Sequence, residues 1–352
     1  MNLKRQRAKQ WIGSVLFLAI AVAGLIAVSY LLRPVTGGSF RKTMAGFYAE
    51  KEDSLDLVVL GSSSAYRFFD TPVLWEQYGI TSYNLATGSQ PGDVVPYLMD
   101  EVEKTQSPQL YVIEVRRFVK DDEEDFSEVY FRRISDNMPY SINRFRMIRD
   151  LVPDGEDRLS YYFDLIKYHG NWETLKFKKS RLAYVDNEKK SALKGWSNLF
   201  QTTSLEAPTN YGDVGISEIS QQDEEDLRKL LSVCSEKEIP VLFVATPWKM
   251  NKKAQQKTKY VETIINEYGF PFLDMNVCTQ EIGLDFTTDF YDKKHVNSYG
   301  AEKVTIFFGK YLEEHYTFSK EHSAATKEEW DKAAAKNREE IAAYEEGDER
   351  TE

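Results

Sequence analysis

Two short stretches hold the side chains that could do covalent chemistry. The first, V-L-G-S-S-S-A-Y-R at positions 59–67, places Ser62, Ser63 and Ser64 directly after Gly61 at the end of an apolar run. The second, Y-D-K-K-H-V-N-S-Y-G at positions 291–300, sets Asp292 and His295 three residues apart. A carboxylate at that spacing can accept the imidazole Nδ1–H and leave Nε2 for a hydroxyl, the arrangement that activates a serine. Each stretch alone has an ordinary reading: a Gly-Ser-Ser turn caps helices, and most D-x-x-H loops are incidental surface charge. The chemistry depends on a fold that brings the two together.

The elements around them have the character such a fold needs. Leu57–Leu60 is a short apolar run that fits a fully buried parallel strand. Thr81–Leu85, Gln109–Val115, Pro240–Thr246 and Phe270–Met275 offer four more strands. Between and after them come amphipathic stretches. Asp223–Glu236 places Leu227, Leu230, Leu231 and Cys234 on one face, with Ser220 and Asp223 as a capping pair. Val304, Phe307, Phe308, Tyr311 and Leu312 repeat the spacing after Gly300. This alternation predicts an α/β fold, a three-layer α/β/α sandwich around a parallel five-stranded sheet. The serine turn then stands at the carboxyl edge of the first strand, where such sheets place ligands and where backbone N–H groups can face a developing oxyanion.

Positions 118–219 break the rhythm. They are rich in Arg, Tyr, Phe and Asp, start close to the acidic run Asp121–Asp125, and read as a largely helical insertion. Positions 55–318 form the expected domain around it. Positions 319–352 are charged and of helical composition with few apolar anchors, which predicts a solvated helix fading into disorder. No internal repeat is present.

The N-terminus carries a separate signal. Lys4, Arg5, Arg7 and Lys9, in a basic tail over positions 1–10, precede an uncharged apolar run from Trp11 to Leu32 that is closed by Arg33 and Pro34. At about 1.5 Å per residue that run spans a hydrocarbon core of roughly 30 Å. It predicts one transmembrane anchor over 11–32, with the basic tail cytoplasmic and everything after Arg33 outside. A signal peptide cleaved near Ala21-Val22-Ala23 is the competing reading, against which the length of the run argues. Positions 33–54, with Gly37 and Gly38 as a flexible exit and a helix over Ser39–Lys51, connect the anchor to the domain.

Composition bounds the rest. The chain has 352 residues, enough for one large domain with insertions or for two. Its net charge of -11 argues against a nucleic-acid surface. Cys234 and Cys278 lack zinc or redox spacing and read as thiols rather than a disulfide. No cluster of His, Cys or carboxylates has metal-ligand spacing, so neither metal nor cofactor is expected.

Taken together, G-S-S after the first strand and D-x-x-H before the last helix resemble the SGNH/GDSL hydrolase superfamily, over most of Leu55–Leu312. The resemblance implies Ser63 as nucleophile, His295 as general base and Asp292 as its orienting acid, with Ser62 where the family usually has aspartate and Ser64 as a helix-start residue. The family's second block implies an oxyanion donor in Asn84-Leu85-Ala86-Thr87-Gly88-Ser89-Gln90, with Gly88 as candidate beside the Ser63 amide and Asn84 as a further substrate contact. The third block usually supplies an asparagine; this chain has Glu114-Val115-Arg116-Arg117 there, which implies either a hole built from two backbone donors and an arginine or activity weaker than in the family's standard enzymes. L-G-S-S-S-A-Y-R, the N-terminal anchor and D-x-x-H-x-N-x-x-G-A-x-K look closest to the membrane-anchored DltD-like branch. That likeness implies work with a membrane-bound O-acyltransferase on cell-envelope polymers such as a polysaccharide or teichoic-acid-like acceptor.

Lesser candidates are Arg67, one turn past the serines, for an anionic group or a surface salt bridge, and His169 with Trp172 in Y-H-G-N-W as site-lining residues or as packed or surface-exposed ones. His315 and His322 read as solvated. Two functions follow: a serine acyltransferase or esterase through Ser63, His295 and Asp292, or a non-catalytic protein that uses the fold to hold a glycopolymer or a membrane acyltransferase.

Overall fold

The computed structural model describes residues 2–33, 38–119, 126–174, 191–209 and 214–347. Five strands, β1 (Leu57–Gly61), β2 (Ser82–Ala86), β3 (Leu110–Glu114), β4 (Val241–Ala245) and β5 (Phe272–Asp274), form one sheet in the order β2-β1-β3-β4-β5. Every pairing is parallel, with Gly61 opposite Ala86 and Leu60 opposite Ile113. These segments are strands because their β-branched and aromatic side chains are covered on both faces. All residues of β1 to β4 are buried.

Alternate residues point to opposite layers. Val58, Leu60, Tyr83, Leu85, Ile113 and Phe243 meet α2 (Gly38–Tyr48), α5 (Val95–Val102), α10 (Gln221–Lys237) and α11 (Lys252–Glu267). Leu57, Val59, Val112 and Val244 meet α3 (Ser63–Tyr66), α4 (Thr71–Tyr78), α12 (Thr279–Ile282) and α13 (Ser298–His315). The three-layer arrangement expected from the alternation is thus present. In α10 the Ser220 hydroxyl accepts from the Asp223 amide at 3.1 Å, and Leu227, Leu230, Leu231 and Cys234 form its buried face. Cys234 and Cys278 are both free thiols.

α1 (Asn2–Leu32) is one helix long and apolar enough to cross a membrane, and Trp11 to Leu18 are exposed along it. Its last turn packs on the insertion, which is helical over α6 (Glu128–Ser135), α7 (Ile142–Leu151), α8 (Arg158–Tyr162) and α9 (Asp164–Tyr168). The acidic run Asp121–Asp125, Pro34 and Gly37 lie outside the described residues.

Two expectations are corrected. The described residues 191–209 are not helical; they run as an irregular strap, turned on itself at its start by the Trp196 amide on the Leu193 carbonyl and otherwise bonded to the core. The Leu193 carbonyl accepts from Thr71 Oγ1 at 2.9 Å, and the Lys194 carbonyl from the Asn84 amide at 3.1 Å. The C-terminal helix α14 (Ala324–Glu345) is docked, not solvated. Trp330 is buried against Trp75, and Asn337 Nδ2 donates to Asp70 at 2.8 Å. One tryptophan and two alanines, Ala333 and Ala334, suffice to seat it because α4 and the strap supply the other half of the contact.

Candidate active site

The order β2-β1-β3 makes the crevice outside β1 and β3 the switch point of the sheet. β1 delivers the serines there. Gly61 has φ +156°, and a Cβ on it would lie 2.9 Å from the Glu114 Cβ, so the strand can end against β3 only with glycine at this place. Ser62 is the N-cap of α3 by backbone conformation, without a side-chain cap bond, and Ser63 is the first residue of that single turn. Ser63 is half-buried, whereas Ser62 and Ser64 are buried.

The histidine comes from the loop before α13. Phe290 and Val296 form an antiparallel bridge, and the Tyr291 amide donates to the His295 carbonyl at 3.0 Å, which closes the loop on itself. Asn297 then caps α13 by accepting from the Gly300 amide at 3.1 Å. A Cβ at Gly300 would come within 2.3 Å of the Asp289 carbonyl, so this turn also requires glycine. The strap holds the loop from outside: the Thr203 amide donates to the Phe290 carbonyl at 2.7 Å, and its hydroxyl to the Tyr291 carbonyl at 2.5 Å.

In that frame His295 Nε2 lies 2.8 Å from Ser63 Oγ, and Nδ1 lies 3.0 Å from both Asp292 carboxylate oxygens. An ionised carboxylate only accepts, so Nδ1 carries the hydrogen and Nε2 presents its lone pair to the Ser63 hydroxyl. Burial by itself raises the Asp292 carboxyl, but hydrogen bonds from His295 and from the Lys294 and His295 amides outweigh it and hold the group below its ordinary value. The His295 imidazole is pushed down, first by burial and further by Arg116 and Arg67, while Asp292 pulls it back. Both shifts favour a neutral imidazole beside an ionised carboxylate at neutral pH, the state that can take a proton from a hydroxyl.

Beneath Ser63 lies a buried polar network that sequence reading missed. Ser62 Oγ is 2.9 Å from Ser64 Oγ, Ser64 Oγ donates to Glu114, and Thr246 Oγ1 donates to Glu114 at 3.2 Å. Arg116 Nη2 in turn donates to Thr246 Oγ1 at 2.8 Å, and Arg116 Nη1 to the Lys294 carbonyl at 2.5 Å, beside the histidine. Burial raises the Glu114 carboxyl, opposed by Arg116 and by the hydroxyl donors. Burial likewise pushes the Arg116 guanidinium down, to about 10. The signal was available: a glutamate inside the otherwise apolar Q-L-Y-V-I-E-V strand needs partners once buried. Ser64, expected only to start a helix, is the first of them.

The other sequence candidates are scattered. Arg67 is close enough to Asp292 and His295 to act on their charge, and among the described residues it makes no surface salt bridge; Nη1 donates to the Ser197 and Asn198 carbonyls at 2.9 and 3.0 Å. Gly88 is buried near the Tyr66 hydroxyl, and its carbonyl accepts from Arg133 of α6 at 2.5 Å. Asn84 is not brought to the site. It lies inside β2 opposite Val59, fully buried, with Nδ2 on the Phe69 carbonyl at 2.7 Å, because the strand continues two residues past it. His169 is exposed on a 3-10 turn beside the end of α1, where Nδ1 bonds the Ile166 carbonyl at 2.9 Å. His315 is exposed, as expected, but His322 pairs with Asp56 at 2.8 Å, its side chain only 7% exposed.

The sequence matches no protein-family model and no curated protein. Three solved structures overlap with it at low identity. A protein assigned to the lipolytic G-D-S-L family from Desulfitobacterium hafniense is 8% identical over 72% of this chain and 97% of its own, at a TM-score of 0.34. A lipase/acylhydrolase from Enterococcus faecalis is 8% identical over 76% of this chain and 100% of its own, at 0.37. A protein named as an acylhydrolase from Bacteroides fragilis is 12% identical over 78% of this chain and 95% of its own, at 0.35. Overlap of this extent leaves the function to be read from the site itself.

Proposed function

We propose that this chain is a membrane-anchored, extracytoplasmic serine acyltransferase or esterase of the SGNH type, acting on O-acyl groups of cell-envelope glycopolymers. The observation that carries the reading is the 2.8 Å contact between Ser63 Oγ and His295 Nε2, with Nδ1 seated on Asp292. Ser63 Oγ bonds to the carbonyl carbon of an ester or thioester as His295 takes its proton. The tetrahedral oxyanion collapses by breaking the bond to the leaving alkoxide or thiolate, which receives that proton. A polymer hydroxyl or water, deprotonated by the same imidazole, then attacks the acyl-enzyme and frees Ser63. Transfer and hydrolysis differ only in that second nucleophile. Gly88 and the Ser63 amide are the proposed oxyanion donors, and Arg67 the proposed contact for an anionic acceptor. α1 supports an anchored enzyme; the basic tail before it is the ground for a cytoplasmic N-terminus, and the DltD-like resemblance is the ground for a membrane-bound O-acyltransferase as partner.

A second reading, a non-catalytic protein that holds the polymer or the acyltransferase, draws on one observation: after β3 the chain offers Arg116 and Arg117 in place of the asparagine of the third block. Labelling of the full chain by a serine-directed fluorophosphonate separates the two. The enzyme reading expects labelling that Ser63→Ala abolishes; an unlabelled parent, or a Ser63→Ala protein labelled equally well, overturns it. Comparison of envelope acyl esters in cells with and without the gene then tests the substrate class.

A further inference from the structure

The insertion presents an apolar surface that the core does not use. Phe163 is 54% exposed, Ile166 45% and Trp172 65%, and Leu159 on α8 is exposed beside them in the chain. Single exposed apolar side chains are ordinary on a soluble protein. These are set apart by where they stand. Phe163 precedes Asp164, whose carboxylate receives the Arg33 guanidinium at the end of α1. Trp172 follows Asn171, whose Nδ2 donates to the Leu32 carbonyl at 2.9 Å. The residues that grip the last turn of α1 are therefore the immediate chain neighbours of the exposed aromatics.

The grip itself is rigid. Asp164 is fully buried and is held a second time by Arg144 Nη2 at 2.7 Å and by the Tyr140 hydroxyl at 3.1 Å. Arg33 lies over the Tyr30 ring at 4.4 Å and the Tyr140 ring at 5.2 Å. With α1 across a bilayer, Leu32 marks the outer limit of the hydrocarbon. The neighbours of Asp164 and Asn171 then stand at headgroup depth, the level at which tryptophan and tyrosine are favoured. At that level Arg33 pairs with Asp164 and Lys167 with Glu128. The exposed side chains that set this face apart are apolar, so the seating inferred is apolar.

We propose that the α8–α9 face of the insertion lies in the outer leaflet, with Phe163, Ile166 and Trp172 in the lipid interface, so that the domain rests on the bilayer in one orientation. The proposal rests on the reading of α1 as a membrane span, and its test keeps the two apart. The full chain carrying Cys234→Ala and Cys278→Ala is reconstituted into phosphatidylcholine vesicles. Single bimane probes are placed at Leu18→Cys in α1, at Ile166→Cys, at Trp172→Cys, and at Ile306→Cys on α13 across the sheet. Lipids spin-labelled at a shallow acyl position should remove most of the emission at positions 166 and 172. Deep labels should do so at position 18 and neither label at 306, with no change in high salt. Quenching at 18 without quenching at 166 and 172 overturns the proposal while the anchor stands, and directs that face to a protein partner or a second copy. No quenching at 18 sinks the anchor reading and the inference with it.

Discussion

Among the described residues, two Asp–His pairs stand at opposite ends of β1. At the carboxyl end, His295 bonds Asp292 through Nδ1 and Ser63 Oγ through Nε2, in a half-buried crevice. At the amino end, His322 Nε2 bonds Asp56 at 2.8 Å, and the same Asp56 oxygen also accepts from the Thr81 amide and hydroxyl, each at 2.9 Å. The chemical groups are the same, yet only one pair has a hydroxyl on the far imidazole nitrogen. The other ties the segment leading to α14 onto the entry of β1 and β2. An Asp–His pair is therefore no sign of catalysis in itself. Its end of a parallel sheet, and what the second nitrogen faces, decide its use.

The largest expected effect breaks or upholds that contrast directly. Ser63→Ala or His295→Ala should lower kcat/KM for a p-nitrophenyl acyl ester by roughly 10⁴- to 10⁶-fold, whereas His322→Ala should leave it within about twofold, as a residue outside the site. Equal losses from the two histidine variants would erase the distinction. Next, Asp292→Asn should cost about 10³- to 10⁴-fold in kcat by favouring the wrong tautomer. Asp56→Asn should leave kcat near the parent value in the same assay.

Stability should rank the pairs in reverse. His322→Ala uncovers a buried carboxylate and should destabilise the fold by about 1–3 kcal/mol, read from the unfolding midpoint of the full chain in detergent. His295→Ala, at a half-open edge, should move that midpoint less. The smallest effect is on pH. Protonated His295 cannot accept, so activity falls as pH drops through the free-enzyme value, which burial and the two arginines hold below the ordinary imidazole range. Arg116→Gln removes a cation that disfavours the imidazolium, so the acid limb of kcat/KM should move to higher pH. A limb that stays in place or moves down would show that Arg116 does not act on His295 through its charge.

The same contrast explains what could be read from sequence. All five strands were legible to within about two residues because short runs rich in apolar side chains and closed by Gly, Pro or polar turns mark buried parallel strands, even where β2 holds Ser82 and Asn84 and β3 ends in Glu114. Ser63 and the Asp292–His295 pair were legible because each motif is local. The His322–Asp56 pair is separated by 266 positions, and the Ser64–Glu114 contact by 50, so no spacing announces either. Asn84, expected inside the second strand and, through the resemblance, as a substrate contact, serves the strand alone: its side-chain amide is satisfied inside β2 by the Phe69 carbonyl, 15 positions away. The strap was invisible for a related reason. Its order comes from bonds donated to and accepted from the core, and such bonds leave no periodicity.

The wide separation within the site also has a temporal side. Ser63 and His295 lie 232 positions apart in the chain, and β4, the strap and the loop before α13 must all be in place before they meet. At a synthesis rate of about 5–20 residues per second, Ser63 leaves the ribosome roughly 10 to 50 s ahead of His295. Through that interval it is an alcohol of ordinary reactivity. On the proposed mechanism, activation would wait on nearly complete synthesis, and a chain truncated before position 295 would emerge with the serine and without its proposed base.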